Sequence, residues 1–233
     1  MFRGHSGDNH MHAHYAHQLT VGITQPVCIT LGSETRCAPA LFIPAGIAHR
    51  LSPGNVLSLY LDPTTDEARA VLPLLDRTRD IVEPSRQLLC IVLDSFSADK
   101  LTQHSFERFR RHLQLGALPP RDARLDAVLH LLNQSLDQEE FLSRRSLASS
   151  SGLSESRFSH WFRERTGMPV RSYRKWLRLV RGIEHVLAGD RLTDAAHGAG
   201  FSDQAHFTRT FVATFGINPS LALARLSSQS PDQ

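Results

Sequence analysis

"SLASSSGLSESRFSHWFRERTG", residues Ser146 to Gly167, decides how the second half of the chain folds. Ala148 stands four residues before Gly152, Leu153 follows the glycine, and Phe158 comes five residues after that. A small alanine lets two helices cross closely, the glycine takes the turn between them, and the apolar residues lock the second helix onto the first. Ser154 is placed to cap that second helix. The plan recurs in "TDAAHGAGFSDQAHFTRTFVATFG", Thr193 to Gly216, with Ala196, then Gly200 four later, then Phe201, Phe207 and Phe211. One such segment fits a plain α-hairpin with a glycine turn. Two of a kind read as a pair of helix-turn-helix units.

Between them, "PVRSYRKWLRLVRGIEHVLAGD" runs from Pro169, suited to a first helical position, to Gly189, a C-terminal stop. It predicts one helix roughly 30 Å long. Val170, Tyr173, Leu177, Val180 and Leu187 form an apolar stripe, and Arg171, Arg174, Lys175, Arg178 and Arg181 populate the remaining surface. One turn of B-DNA is about 34 Å, so a rod of this length suits two recognition helices entering successive major grooves. The charge agrees. Residues 141–225 hold 13 Lys/Arg against 6 Asp/Glu, or +7, whereas residues 1–120 hold 11 of each. Such a block suits a polyanion partner, and a solvated charged face is the plainer alternative.

With 233 residues, 41% of them hydrophobic, the chain can fill two small cores. The longest apolar run, "LLCIVL" from Leu88 to Leu93, is far short of the roughly 20 residues a membrane span needs. No basic-then-apolar leader opens the sequence. Cys28, Cys37 and Cys90 are irregularly spaced, which suits reduced thiols rather than a disulfide framework. The expectation is a cytoplasmic protein without a membrane partner. "HQLTVGIT", "PVCITL", "ALFIPAG" and "NVLSLYL" predict strands up to about Asp62. Helices are then predicted over 66–75, 84–96 and 98–115. The second of these is apolar nearly all round, so it is expected to be buried in the domain or against a second copy in a homodimer. "LGALPPRD", residues 115–122, is the clearest linker.

Residues 122–225 resemble the DNA-binding domain of the AraC/XylS family of transcriptional regulators. The likeness rests on the segments quoted above and on the closing "GFSDQAHFTRTF…FGINPS". It implies a sequence-specific, usually activating, promoter binder that works with RNA polymerase. It also implies base contacts from Ser156, Ser159 and His160 in the first reading helix, and from Gln204, His206, Thr208 and Arg209 in the second. Members often carry a basic residue where His160 stands, which implies weaker or pH-dependent readout by the first motif. The side-chain chemistry agrees: arginine pairs with guanine, glutamine with adenine, and histidine donates to a base acceptor. Arg157, Arg163 and Arg165 read as phosphate contacts or simple surface charge.

Regulators of this family commonly place a cupin-like β-barrel ahead of that domain, and residues 1–62 resemble a shortened one. "HAHYAHQL", His12 to Leu19, resembles the first cupin motif, and "PAGIAH", Pro44 to His49, the second. Period-two geometry would put His10, His12 and His14 on one face of a strand, and with His49 they would offer three or four nitrogens to one metal. Gln18 stands where metal-binding cupins carry a glutamate, and His17 replaces it only on a bulged strand. An all-nitrogen site suits zinc, nickel or copper. A metal-free pocket for a small organic effector and a surface tract remain open. Cys28 and Cys37 flank "GSET" and fall near one another on a hairpin. Free buried thiols are expected there, with a soft-metal or redox role as the alternative.

The sequence therefore predicts an α+β chain. Its parts are a cupin-like sensing domain (1–62), a helical dimerisation region (63–118), an all-α double helix-turn-helix domain (119–225) and a polar tail (226–233). It is expected to be a regulator and not an enzyme. A cupin-type metalloenzyme fused to a DNA-binding domain is the alternative, and the shortened barrel and missing glutamate count against it. A DNA-repair methyl acceptor is disfavoured because no cysteine lies in a metal-cluster spacing.

Overall fold

The computed structural model describes residues 1–7, 9–76, 79–96, 102–136 and 142–220. They form a mixed α and β chain in two units, Met1–Leu118 with Phe211–Gln233, and Pro119–Thr210. The polar tail at 226–233 lies outside the described residues. No helix among those described is long and apolar enough to cross a membrane.

Among its described residues the first unit holds seven strands: β1 (Phe2–Ser6), β2 (His17–Gly22), β3 (Val27–Leu31), β4 (Glu34–Ala38), β5 (Ala40–Ile43), β6 (Arg50–Leu51) and β7 (Gly54–Leu61). They make a four-stranded sheet in the order β1-β7-β2-β5 and a three-stranded sheet in the order β4-β3-β6, and neither closes on itself. Every pairing is antiparallel. Alternation along β2 sorts the side chains onto two faces. Leu19 and Val21 join Phe42, Leu57 and Leu59 in a core completed by helical residues such as Leu88, Val92 and Phe109. Gln18 and Thr20 point the other way. In register they oppose Tyr60 and Ser58 on β7 and Ile43 and Leu41 on β5. Leu41, Ile43 and Val56 pack on Val27 and Ile29 of β3 in a second core. A buried polar strip therefore shares a sheet face with an apolar core.

Three strands were not foreseen. β4, "ETRCA", shows four of its five residues to solvent and so has no apolar face to read. β6 is only two residues long, and β1 opens the chain with the polar "FRGHS". The cysteine expectation is corrected as well: Cys28 and Cys37 are direct cross-strand partners on β3 and β4 and form a disulfide, while Cys90 is free and exposed.

Helix α1 (Asp66–Val71) gives way at Pro73 to a tighter turn over Leu72–Leu74. Helix α2 (Arg86–Ser95) is capped by Ser85, and α3 (Gln103–His112) by Thr102. Residues 98–101 of the predicted third helix lie outside the described residues. Within one chain α2 buries Leu88, Val92 and Ser95 and leaves Leu93 46% exposed, so burial of its whole surface inside the domain is not what is found.

The second unit begins with α4 (Ala123–Gln134), capped by Asp122. Then come α5 (Arg144–Ser150), α6 (Glu155–Thr166), α7 (Val170–Leu187), α8 (Leu192–Gly198) and α9 (Gln204–Phe215). From Phe211 onward, α9 belongs to the first unit. The α7 stripe is corrected in detail. Its buried face is Tyr173, Trp176, Leu177, Leu179 and Gly182, Leu187 is 43% exposed, and Pro169 is the N-cap. Gly182 matters because a Cβ there would sit 2.5 Å from the ring of Phe207, so α7 and α9 approach too closely for any side chain. Arg174 is no free surface cation: its guanidinium donates to the Leu142 carbonyl.

Candidate functional site

The two helix-turn-helix units share one construction. Leu153 N donates to Ala148 O at 2.9 Å in the first turn, and Phe201 N to Ala196 O at 3.0 Å in the second. Gly152 (φ +66°) and Gly200 (φ +77°) take the left-handed conformation each turn needs. Phe158 and Phe162 on α6, and Phe207 and Phe211 on α9, are buried. At the helix starts, Ser154 Oγ accepts from Arg157 N at 3.5 Å and Asp203 Oδ1 from His206 N at 2.6 Å. At the ends, Gly167 (φ +77°) and Gly216 (φ +72°) stop the two helices.

This scaffold presents most of the expected base readers. Ser156 and His160 are exposed on α6; Ser159 is half-buried and its hydroxyl donates to Glu155 O at 2.9 Å, which reduces its reach. On α9, Gln204, His206 and Arg209 are exposed and Thr208 is half-buried. Two supporting residues were missed. Thr193 donates to Gln204 Oε1 at 2.7 Å, which fixes the carboxamide and leaves its amino end to donate. Asp203 holds the start of α9, and the His206 backbone N–H, aided by Ser202 and Arg209, keeps its carboxyl below the usual range. Arg157, Arg163 and Arg165 are exposed, and Arg165 lies 3.9 Å from Asp122.

The histidine tract is not the regular strand expected. Residues 9–16 are irregular, joined to the 44–51 segment by paired bonds between His12 and His49 (3.0 and 2.9 Å) and by Gly46 N donating to His14 O at 2.9 Å. That path turns His12 and His14 inward beside His49, all three buried, with ligand nitrogens within 4.8 Å of one another. The other two candidates are corrected. His10 is exposed and offers only its backbone, and His17 stands apart, its Nδ1 accepting from Ala45 N at 3.1 Å.

The three rings are oriented alike. Each Nδ1 meets a main-chain carbonyl: His12 with His10 O at 2.8 Å, His14 with Ala16 O at 2.6 Å, His49 with Ile47 O at 2.9 Å. A carbonyl can only accept, so Nδ1 carries the proton and Nε2 is left as a lone-pair donor, the outer-shell arrangement typical of metal-ligating histidine. Gln18 Oε1 lies 2.7 Å from His14 Nε2 and 3.2 Å from His49 Nε2, while its amino end donates to Thr20 Oγ1 at 2.7 Å. Thr20 in turn meets Ser58 Oγ at 3.0 Å. Burial pushes His14 down to about 4 and His49 to about 3, and lowers His12, so these rings are neutral near pH 7. The result is a cluster of acceptors with no proton between them.

A helix-turn-helix domain model matches residues 147–225, the region that carries the doubled motif. The transcriptional activator RhaR of Yersinia pestis bv. Antiqua (strain Angola) is 29% identical over 123 residues, covering 48% of this chain and 39% of RhaR. The chain thus spans well under half the length of that relative. The transcriptional regulator NimR of Escherichia coli K12 is 21% identical over 239 residues, covering 95% of this chain and 84% of NimR. ToxT from Vibrio cholerae O395 shares the fold, with a TM-score of 0.59 and 10% identity over 96% of each chain. Over residues 147–225 the chain is thus similar to helix-turn-helix transcriptional regulators, in keeping with its resemblance to the AraC family. RhaR and NimR are named as transcriptional regulators.

Proposed function

We propose that the chain binds promoter DNA through α6 and α9 and activates RNA polymerase there, under the control of a divalent transition metal held by His12, His14 and His49. Gln18 supplies the fourth donor. One observation carries the metal reading: three Nε2 lone pairs and a carboxamide oxygen share a buried site with no hydrogen to place between them. A cation satisfies such a set. Without one, the Gln18 carboxamide must rotate by 180° so that its amino end donates to the rings. Neutral nitrogen donors favour zinc, nickel or copper over magnesium or calcium. The two sheets serve as the cupin-like sensor, and the exposed Leu93 on α2 supports a homodimer contact, with Leu93→Asp expected to give monomer by sedimentation.

Zinc and nickel titration of the full chain tests the metal reading, set beside a His12→Ala/His14→Ala/His49→Ala variant. The parent is expected to take up one ion per chain and the variant none tightly. Retardation of a duplex selected for binding, with and without metal, then tests control. Equal, weak uptake by both proteins would favour an organic effector instead. ToxT has been solved with an unsaturated fatty acid bound. The polar strip of Gln18, Thr20 and Ser58 argues against an acyl chain at this place.

A further inference from the structure

Resting on the metal reading above, we propose that the loop from Asn9 to His12 is a clasp on the end of α9, and that filling the histidine site tightens it. The loop has two jobs at once. His12 faces the site, while His10 N donates to Gly216 O at 3.0 Å, where α9 stops. Asn9 anchors the loop from behind, its Oδ1 accepting from Leu51 N at 2.9 Å.

Gly216 is fitted to this loop. A Cβ there would lie 2.6 Å from His12 Nδ1, 2.7 Å from His10 O and 3.0 Å from Asn9 Cβ. The same ring nitrogen and carbonyl are hydrogen-bonded to one another, so the bond that orients His12 toward the site also forms the floor on which Gly216 sits. A second route runs beside it. The His14 ring meets the Tyr60 ring at 5.3 Å, and Tyr60 meets Phe215 edge-on at 5.4 Å. Two of the three ligands thus each lie one residue away from the last turn of α9.

That turn continues, without a break, the helix that presents Gln204, His206, Thr208 and Arg209. Ligation fixes the rotation of His12 and His14, hence the positions of the His10 carbonyl and the Tyr60 ring. The clasp is the element that both sites bias, and the coupling must be reciprocal.

Amide hydrogen exchange on the full chain, with and without zinc, tests this. Zinc is expected to slow the His10 amide and those of residues 213–216 by tenfold or more, and to leave the matching turn of α6 at 164–167 unchanged. Gly216→Ala is expected to abolish that response. Gly167→Ala carries the same left-handed strain but meets nothing within 4 Å among the described residues, and is expected to keep the response. Zinc uptake at the three histidines without slowing at 213–216 would overturn the clasp and leave the metal reading standing. No uptake would overturn both. Should Gly216→Ala fail to fold, the parent comparison still decides.

Discussion

The glycine that ends α6 has open space beside it, and the glycine that ends α9 does not. α6 and α9 start with side-chain caps, bury phenylalanines at matching places and stop at left-handed glycines. Yet a Cβ on Gly167 would meet nothing within 4 Å among the described residues, while one on Gly216 would strike the histidine loop. One local grammar builds both helices; what differs is the surface against which each ends. In the proposed reading α6 would serve as a reader alone, whereas the far end of α9 carries a constraint from the histidine loop.

The largest expected effect tests the shared part of the comparison. Phe158 and Phe207 are both fully buried, and replacing either by alanine should cost about 3–5 kcal/mol in denaturant unfolding. The two then diverge. Gly182→Ala should destabilise the parent, because its Cβ would lie 2.5 Å from the Phe207 ring, and should partly rescue Phe207→Ala by filling the space that ring leaves. A neutral Gly182→Ala in the parent would show that α7 and α9 do not approach as described.

Next in size is the difference in readout. Arg209 is exposed and long enough for a bidentate pair with guanine, so Arg209→Ala should cost about 1–3 kcal/mol on a selected duplex and relax preference at one base pair. His160→Ala should cost less, about 1 kcal/mol or under, since one imidazole N–H makes a single bond to a base rather than a bidentate pair. Equal losses would erase the asymmetry between the two helices.

The helical repeat was legible because everything that specifies it lies within some twenty residues: a small residue, a turn glycine, a cap and apolar locks. The histidine site was only half legible. The two short motifs named His12, His14 and His49, but period-two reasoning added His10, because it assumed a strand where the chain takes its direction from bonds to residues 46, 49 and 216. Those partners are remote in sequence and leave no periodic trace. Gly216 carried a signal as a helix-stopping glycine, and nothing adjacent to it revealed what it was pressed against. The Cys28–Cys37 bond follows from strand register, which the polar β4 concealed.

Acid should separate the two units. His14 and His17 are pushed down to about 4 and His49 to about 3 by burial. The unfolded chain therefore binds more protons than the folded one from about pH 6.5 downward, and metal-free stability should fall across that interval, levelling near pH 3–4. Trp161 and Trp176, the two tryptophans of the chain, lie in the second unit, so their fluorescence reports on that unit, while amide exchange in β2 and β7 reports on the first. Loss of protection in β2 and β7 should precede the fluorescence change as pH falls. Simultaneous loss would mean that the buried histidines do not set the acid limit of the first unit.

The smallest contrast lies in the two caps. Ser154 is neutral and its bond to Arg157 N is long at 3.5 Å, so Ser154→Ala should cost only about 0.5–1 kcal/mol. Asp203 is charged and its bond to His206 N is short at 2.6 Å, and an anion at a helix start also gains from the aligned peptide dipoles. Because its carboxyl is held below the usual range, its contribution is present above about pH 3.9 and is lost as pH falls through the folded value. Asp203→Asn keeps an acceptor oxygen in place while removing the charge, so it should leave the start of α9 intact at pH 7 and abolish that acid-linked loss, seen as a pH-independent amide exchange rate ratio for His206 relative to parent α6. An unchanged acid response in Asp203→Asn would show that another group governs the start of the second reading helix, and that its two ends are not held by the residues assigned to them.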